Sequence, residues 1–378
     1  MAFFLLCLTL FTMFFLPTYF FPWLEPYQPL RNFAILALVT FTFSGKKSQT
    51  PFFSNKINVL FMVFVFTQIL SAAQLWLTGA FEIFNFWLKI GICYYLVVKS
   101  AISVNKIIAI CFSIVSGILY VSYFSISTFI INYSPGMRAG GFGWYEGAND
   151  IAIIFVSVIP LMLLVANATR SIVVRVLFTG SRNGLLGLLT VGALSLIFFK
   201  KVPSFVRFFL IGVLFISVFT VGYTNVMQRS DLSTGITGDA SSENRFDQWR
   251  ASLRMLKSKP LLGIGPGELP SRALEYGGVK GMAAHNSLLQ VFAETGLLGG
   301  IAYSLFCFLP LVELRRLKKT SEMSDVGINM YKFIFSSLIG FWVCAFFSNR
   351  YQYYILYILV ALLVAIKDNL INREANLN

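Results

Sequence analysis

The sequence predicts an all-α fold, a polytopic integral membrane bundle of about 11–12 transmembrane helices with one large loop carrying an amphipathic helix. Three observations carry this. The chain is 57% hydrophobic and 12% charged, about half the charge of an ordinary soluble domain. Apolar runs of roughly 18 to 25 residues, the length that crosses a hydrocarbon core, recur along all 378 residues. The basic residues behind the net charge of +14 are scattered through short loops between those runs. There they set topology and meet anionic lipid, a pattern that argues against nucleic acid as a partner.

In chain order, spans are expected near 2–16, 30–44, 57–77, 84–98, 106–131, 150–167, 183–199, 204–224, 286–311, 331–347 and 351–366, eleven in all. The first run is apolar from Phe3 and has neither a basic n-region nor a small-residue cleavage site, so it reads as a membrane helix rather than a removed signal. Lys46, Lys47 and Lys56, then Lys99 and Lys106, then Arg170 and Arg175, then Lys200, Lys201 and Arg207, and last Arg315, Arg316, Lys318 and Lys319 mark cytoplasmic loops. Both termini then lie inside, and 17–29, 78–83, 132–149 and 225–285 lie outside. The chain is expected to form a single transmembrane domain, 1–378, with 225–285 as a periplasmic loop within it.

One place breaks the alternation. Arg175 and Lys200 both call for the cytoplasm, yet only 24 residues separate them, and two crossings need roughly 40. A re-entrant hairpin, a misassigned basic cluster, or a helix missing near Leu177–Phe178 would each resolve it, the last being favoured.

In the large loop, a tract rich in Ser, Thr, Gly and Asp (230–242) leads into Glu243–Lys257. Phe246, Trp249, Leu253 and Leu256 recur there at helical spacing and form one apolar stripe flanked by basic residues, as in a helix lying on a membrane surface. Ser241 or Ser242 is a candidate cap, with Glu243 in the first turn. Pro260 and the glycines 263, 265 and 267 end the helix in a turn-rich loop.

His285 is the only histidine of the chain and stands where this loop enters the next apolar run. A neutral imidazole there is suited to taking a proton from an attacking hydroxyl; the plainer alternative is a histidine that only satisfies its hydrogen bonds at a helix start. Asn286 follows it, and Glu294 lies nine residues on, about half a turn around the helix from His285, too far round to orient the imidazole. A carboxyl inside a membrane helix is either functional or a hydrogen-bonded lock between helices. Gly296, Gly299 and Gly300 are expected to allow close helix packing.

Arg138 in the glycine-rich outer loop, Arg182 in Thr179-Gly180-Ser181-Arg182 and Arg245 in the amphipathic helix can together grip a diphosphate, because guanidinium forks match phosphate oxygens and keep their charge. For each alone, headgroup contact or a role in topology is the plainer reading, and Arg250 and Arg254 are read as headgroup-facing. Asp150 reads as a helix N-cap first and an acceptor-site carboxylate second.

No P-loop and no paired-carboxylate motif occurs, and the five cysteines (7, 93, 111, 307 and 344) lie inside apolar runs without a CxxC pair. No metal and no cofactor is therefore expected. Any energy for chemistry would come from an activated, membrane-held substrate.

Four pieces carry a resemblance: Thr179-Gly180-Ser181-Arg182; Asn244-Arg245 with Trp249-Arg250; Pro260-Leu261-Leu262-Gly263-Ile264-Gly265-Pro266-Gly267; and His285-Asn286 through Glu294-Thr295-Gly296-Leu297-Leu298-Gly299. In order and spacing the chain resembles the O-antigen ligase/polymerase superfamily of bacterial polysaccharide enzymes, with the lipopolysaccharide O-antigen ligase as the leading reading. The resemblance implies a GT-C-type membrane fold and a metal-independent, inverting glycosyltransferase. Its donor would be a glycan on undecaprenyl diphosphate, its acceptor lipid A–core, and its location the bacterial inner membrane with the active site facing the periplasm. By position, Arg182 and Arg245 would bind the diphosphate and His285 would act as general base or acceptor positioner, with Arg138, Arg250, Asn286 and Glu294 as possible support. Membrane lipids and other polysaccharide-assembly proteins are the further partners implied. The sequence departs from the family pattern in the helix missing or truncated before Gly-Ser-Arg and in a fairly short external loop. A polymerase that extends the glycan on its own lipid carrier, a protein-glycosylating ligase and a non-catalytic transporter are the alternatives.

Overall fold

A computed structural model describes residues 1–44, 47–132, 147–169, 190–192, 240–317 and 325–371. Among the described residues the regular elements are all helical. The longer ones are α1 (Ala2–Phe15), α2 (Pro29–Thr42), α3 (Lys56–Ala73), α4 (Leu77–Ser100), α5 (Val104–Ile131), α6 (Ala148–Thr169), α7 (Ala240–Ser258), α8 (Ser287–Leu317), α9 (Asp325–Ala345) and α10 (Tyr354–Ile366). Lys56–Ala73, Leu77–Ser100, Val104–Ile131, Ser287–Leu314 and Val326–Ala345 are long and apolar enough to cross a membrane, and Ala2–Phe15 and Asn149–Val165 are shorter apolar helices. The chain is a helical polytopic membrane protein. The spans expected at 183–199 and 204–224, and the conflict between Arg175 and Lys200, lie outside the described residues apart from one turn at 190–192.

Local signals place the helix ends. Leu16 turns left-handed and Pro17 follows it, stopping α1. Pro17, Pro22, Pro26 and Pro29 then keep the connection to short helical steps before α2. Trp23 and Tyr27 stand exposed on that connection, the kind of ring found at a membrane interface. Asn55 caps α3, its side chain accepting from the Ile57 N–H at 3.0 Å.

The outer segment expected at 78–83 is helical instead. Only Gln74–Trp76 separates α3 from α4, and Leu77 through Phe81 continue the apolar pattern into α4. The proposed caps Ser241 and Ser242 fall inside α7, which starts at Ala240.

α10 lies at the centre, with every residue from Ile355 to Ile366 buried, as expected of a helix apolar all round. It packs against α4 and α9. Phe61 of α3, Tyr94 of α4 and Phe306 of α8 close an aromatic cluster about Tyr357, with Phe61 and Tyr94 stacked at 4.3 Å and Phe306 and Tyr357 at 5.7 Å. α6 packs on α5 and α9, and α8 on α3.

α8 is broken at Gly296, whose φ of 66° and ψ of −164° lie far outside the helical region. The loop after α7 enters the break. Ile264 N–H donates to Ala293 O at 3.0 Å and Gly265 N–H to Glu294 O at 3.0 Å, while Leu297 N–H donates to Pro260 O at 2.7 Å. Ser71 of α3 adds its hydroxyl, 2.5 Å from Leu262 O and 2.7 Å from Glu294 O. Backbone groups freed at membrane depth are costly unless protein satisfies them, and this loop supplies the partners. A Cβ on Gly296 would overlap the Leu261 carbonyl, and one on Gly263 the Glu294 carbonyl. Gly296 is thus not a packing glycine of a continuous helix, as expected from sequence, but the break itself. Gly299 does serve close packing, since its missing side chain leaves room for Thr67 of α3.

Candidate active site

His285 sits in the turn between the inserted loop and α8. Its φ is +50°, one of three positive values among the described non-glycine residues. Such a backbone persists only where its surroundings over-determine it, and these sites are enriched in function. Here both flanks are held. On one side the Trp249 indole N–H of α7 donates to Ala284 O at 2.8 Å. On the other, Asn286 caps α8, its side-chain oxygen accepting from Leu289 N–H at 3.0 Å. Ser287 ties the turn to the loop before α10, donating to Ser348 O at 2.7 Å and accepting from Arg350 N–H at 2.8 Å.

α7 sits against the protein by a face next to the expected stripe. Gln248, Ala251, Ser252 and Met255 are buried, while Phe246 and Leu253 are exposed. The Gln248 amide accepts from Val279 N–H at 2.8 Å and donates to Met282 O, bracing the loop just ahead of His285.

The third wall comes from Asp150 and Arg350. Sequence pointed to Asp150 as an N-cap, but α6 starts at Ala148, so Asp150 lies within its first turn. Its carboxylate reaches back to Gly147 N–H at 3.2 Å, as in a capping box. Both its oxygens also take the Arg350 guanidinium, Nη2 at 2.6 Å and Nε on the other oxygen. Arg350 lies over the Tyr353 ring at 5.4 Å.

Burial, reinforced by the charges of Arg245 and Arg350, lowers the His285 pKa below its usual 6.5, with Asp150 working weakly the other way. The imidazole is therefore neutral at neutral pH and ready to accept a proton. Among the described residues, the charged groups acting on it are the guanidiniums of Arg245 and Arg350 and the carboxylate of Asp150, already paired with Arg350, a set suited to an anion rather than to a cation.

Glu294 is fully buried and points elsewhere. Tyr351 donates to it at 2.7 Å and Gln290 at 2.9 Å, and the N–H groups of Gly267 and Leu269 add two more bonds. It joins α8, the inserted loop and the loop before α10, in keeping with a hydrogen-bonded lock. Arg250 pairs with Asp247 at 3.2 Å on the exposed side of α7. Arg245 is half-buried one turn earlier, near enough for its charge to act on His285. Arg138 and Arg182 lie outside the described residues.

Sequence reasoning missed Arg350. A signal existed: with the topology above, this arginine falls on an outer loop, against the trend that keeps basic residues inside.

A polytopic helical membrane protein with a neutral histidine among arginines is the class that fold and site define. Residues 155–304 match the family model described as O-antigen ligase. That match supports a likeness of this stretch to the O-antigen ligase/polymerase superfamily of membrane glycosyltransferase-like enzymes. The matched stretch contains Arg182, Arg245, Arg250, His285, Asn286 and Glu294, and leaves out Arg138, Asp150 and Arg350. No curated protein matches the chain.

Proposed function

We propose that this protein is an O-antigen ligase of the bacterial inner membrane, transferring a glycan from undecaprenyl diphosphate to lipid A–core on the periplasmic side without a metal. The observation that carries this reading is the neutral His285 beside Arg245 in a turn held on both flanks. The acceptor hydroxyl oxygen attacks the anomeric carbon opposite the leaving diphosphate, the carbon–oxygen bond to phosphate breaks, and the anomeric configuration inverts. His285 takes the hydroxyl proton. Arg245 and Arg182 neutralise charge growing on the departing diphosphate. The lipid tail lies between helices and keeps the donor's reacting end near the turn. The exposed Phe246 and Leu253 of α7 meet the membrane surface.

The test is transfer by the purified protein from an undecaprenyl-diphosphate glycan, with lipid A–core present. A product co-migrating with full-length lipopolysaccharide is expected, and Arg182→Gln and Arg245→Gln should each weaken donor binding. Longer glycan still on undecaprenyl would make the chain a polymerase. Movement of the donor across the bilayer without a new glycosidic bond would make it a transporter.

A further inference from the structure

The Asp150–Arg350 pair stands outside the matched family segment yet closes the histidine turn from its third side. It links elements 200 residues apart. Asp150 is buried at the start of α6 and anchored on its own helix by Gly147. The backbone of Arg350 is bonded to Ser287, two residues from the histidine, while its side chain is bonded to Asp150. One residue therefore connects the first turn of α6, the loop before α10 and the start of α8. Among the described residues, the charged groups acting on the imidazole are Arg245 from α7, Arg350 from that loop and Asp150 from α6.

Building on the base role of His285 above, we propose that Arg350, held by Asp150, is a positioning residue of this site: it fixes the turn that carries the histidine and sets a cationic field beside the ring. A fork bonded at two oxygens has little freedom, so the charge stays in place while substrates come and go. The proton acceptor is thereby kept empty until an acceptor hydroxyl arrives. Lysine would keep the charge and lose the fork.

Because the chain has one histidine, a sample labelled with ¹³C-histidine and purified without a histidine tag gives one imidazole signal to titrate. The wild-type midpoint is expected below 6.5. Arg350→Gln should move it upward, since a cation is lost and Asp150 is left uncompensated beside the ring. The acid limb of the transfer rate should move up with it, and the rate at neutral pH should fall about tenfold or more. Asp150→Asn should move the midpoint downward, which provides the test if Arg350→Gln does not fold. Arg350→Lys should hold the midpoint near wild type while the rate still falls, as expected when charge is kept and geometry lost. A midpoint unmoved in both Arg350→Gln and Asp150→Asn overturns the proposal. Shifted midpoints together with full transfer by His285→Ala would leave the positioning intact and remove the base role instead.

Discussion

Gly296→Ala is expected to yield little folded protein, with Gly263→Ala close behind. Gly296 has φ 66° and ψ −164°, a region essentially confined to glycine, where another residue costs on the order of 1–3 kcal/mol. A methyl there also overlaps the Leu261 carbonyl, and forced overpacking adds about 1–3 kcal/mol. The loop cannot yield without releasing the bonds from Leu297 to Pro260 and from Ile264 to Ala293, both made in a setting where water does not replace them. The sum is a large share of the roughly 5–15 kcal/mol that holds a protein folded. Thermal unfolding in detergent, read as loss of the monodisperse peak, checks this. Gly91→Ala is the control: it sits in α4 with nothing within 4 Å of the added methyl, so it should be neutral or slightly stabilising.

His285→Ala is expected to lower the transfer rate by about 10²–10⁴-fold while leaving donor binding intact, the signature of a lost proton acceptor. The pH dependence sharpens it. A base works only when unprotonated, so activity is full above the imidazole's midpoint and falls as pH drops through it. Burial and the two arginines place that midpoint below 6.5, so the wild-type rate should stay flat through neutrality and decline only in the acid range. In His285→Ala the residual rate should lack that decline. Single-turnover transfer across pH, with donor affinity measured separately, distinguishes this from a binding defect.

Much of the architecture was legible because long apolar runs have one use. α3, α5, α6, α8 and α9 fall within a few residues of their expected limits except at the end of α8, which runs on to Leu317, and at the start of α9, where a polar lead-in from Asp325 joins the apolar run. The helical start of α4 was hidden because Gly79 and Glu82 imitate a loop between apolar stretches. The break in α8 was hidden for a different reason. A glycine in an apolar run reads equally well as a packing residue, and only the loop threaded beside it requires the left-handed turn. Likewise the Phe246 stripe was visible on α7, whereas Gln248 and Ser252 became its protein-facing residues through partners in the following loop and on the helix itself. At the site, His285 was marked by its uniqueness and Arg245 by its motif. Asp150 and Arg350 meet across 200 residues, and no local spacing encodes such a pairing.

Side-selective labelling tests the central claim most directly, namely that Arg182, Arg245 and His285 share one water-filled site on the outer face. With the five native cysteines replaced, a single cysteine is placed in turn at 182, 245 and 285 and exposed to a membrane-impermeant maleimide outside intact spheroplasts. All three should react from outside and be protected by added undecaprenyl diphosphate. Reaction of 182 and 245 from opposite faces, or of 285 only after the bilayer is dissolved, would contradict it.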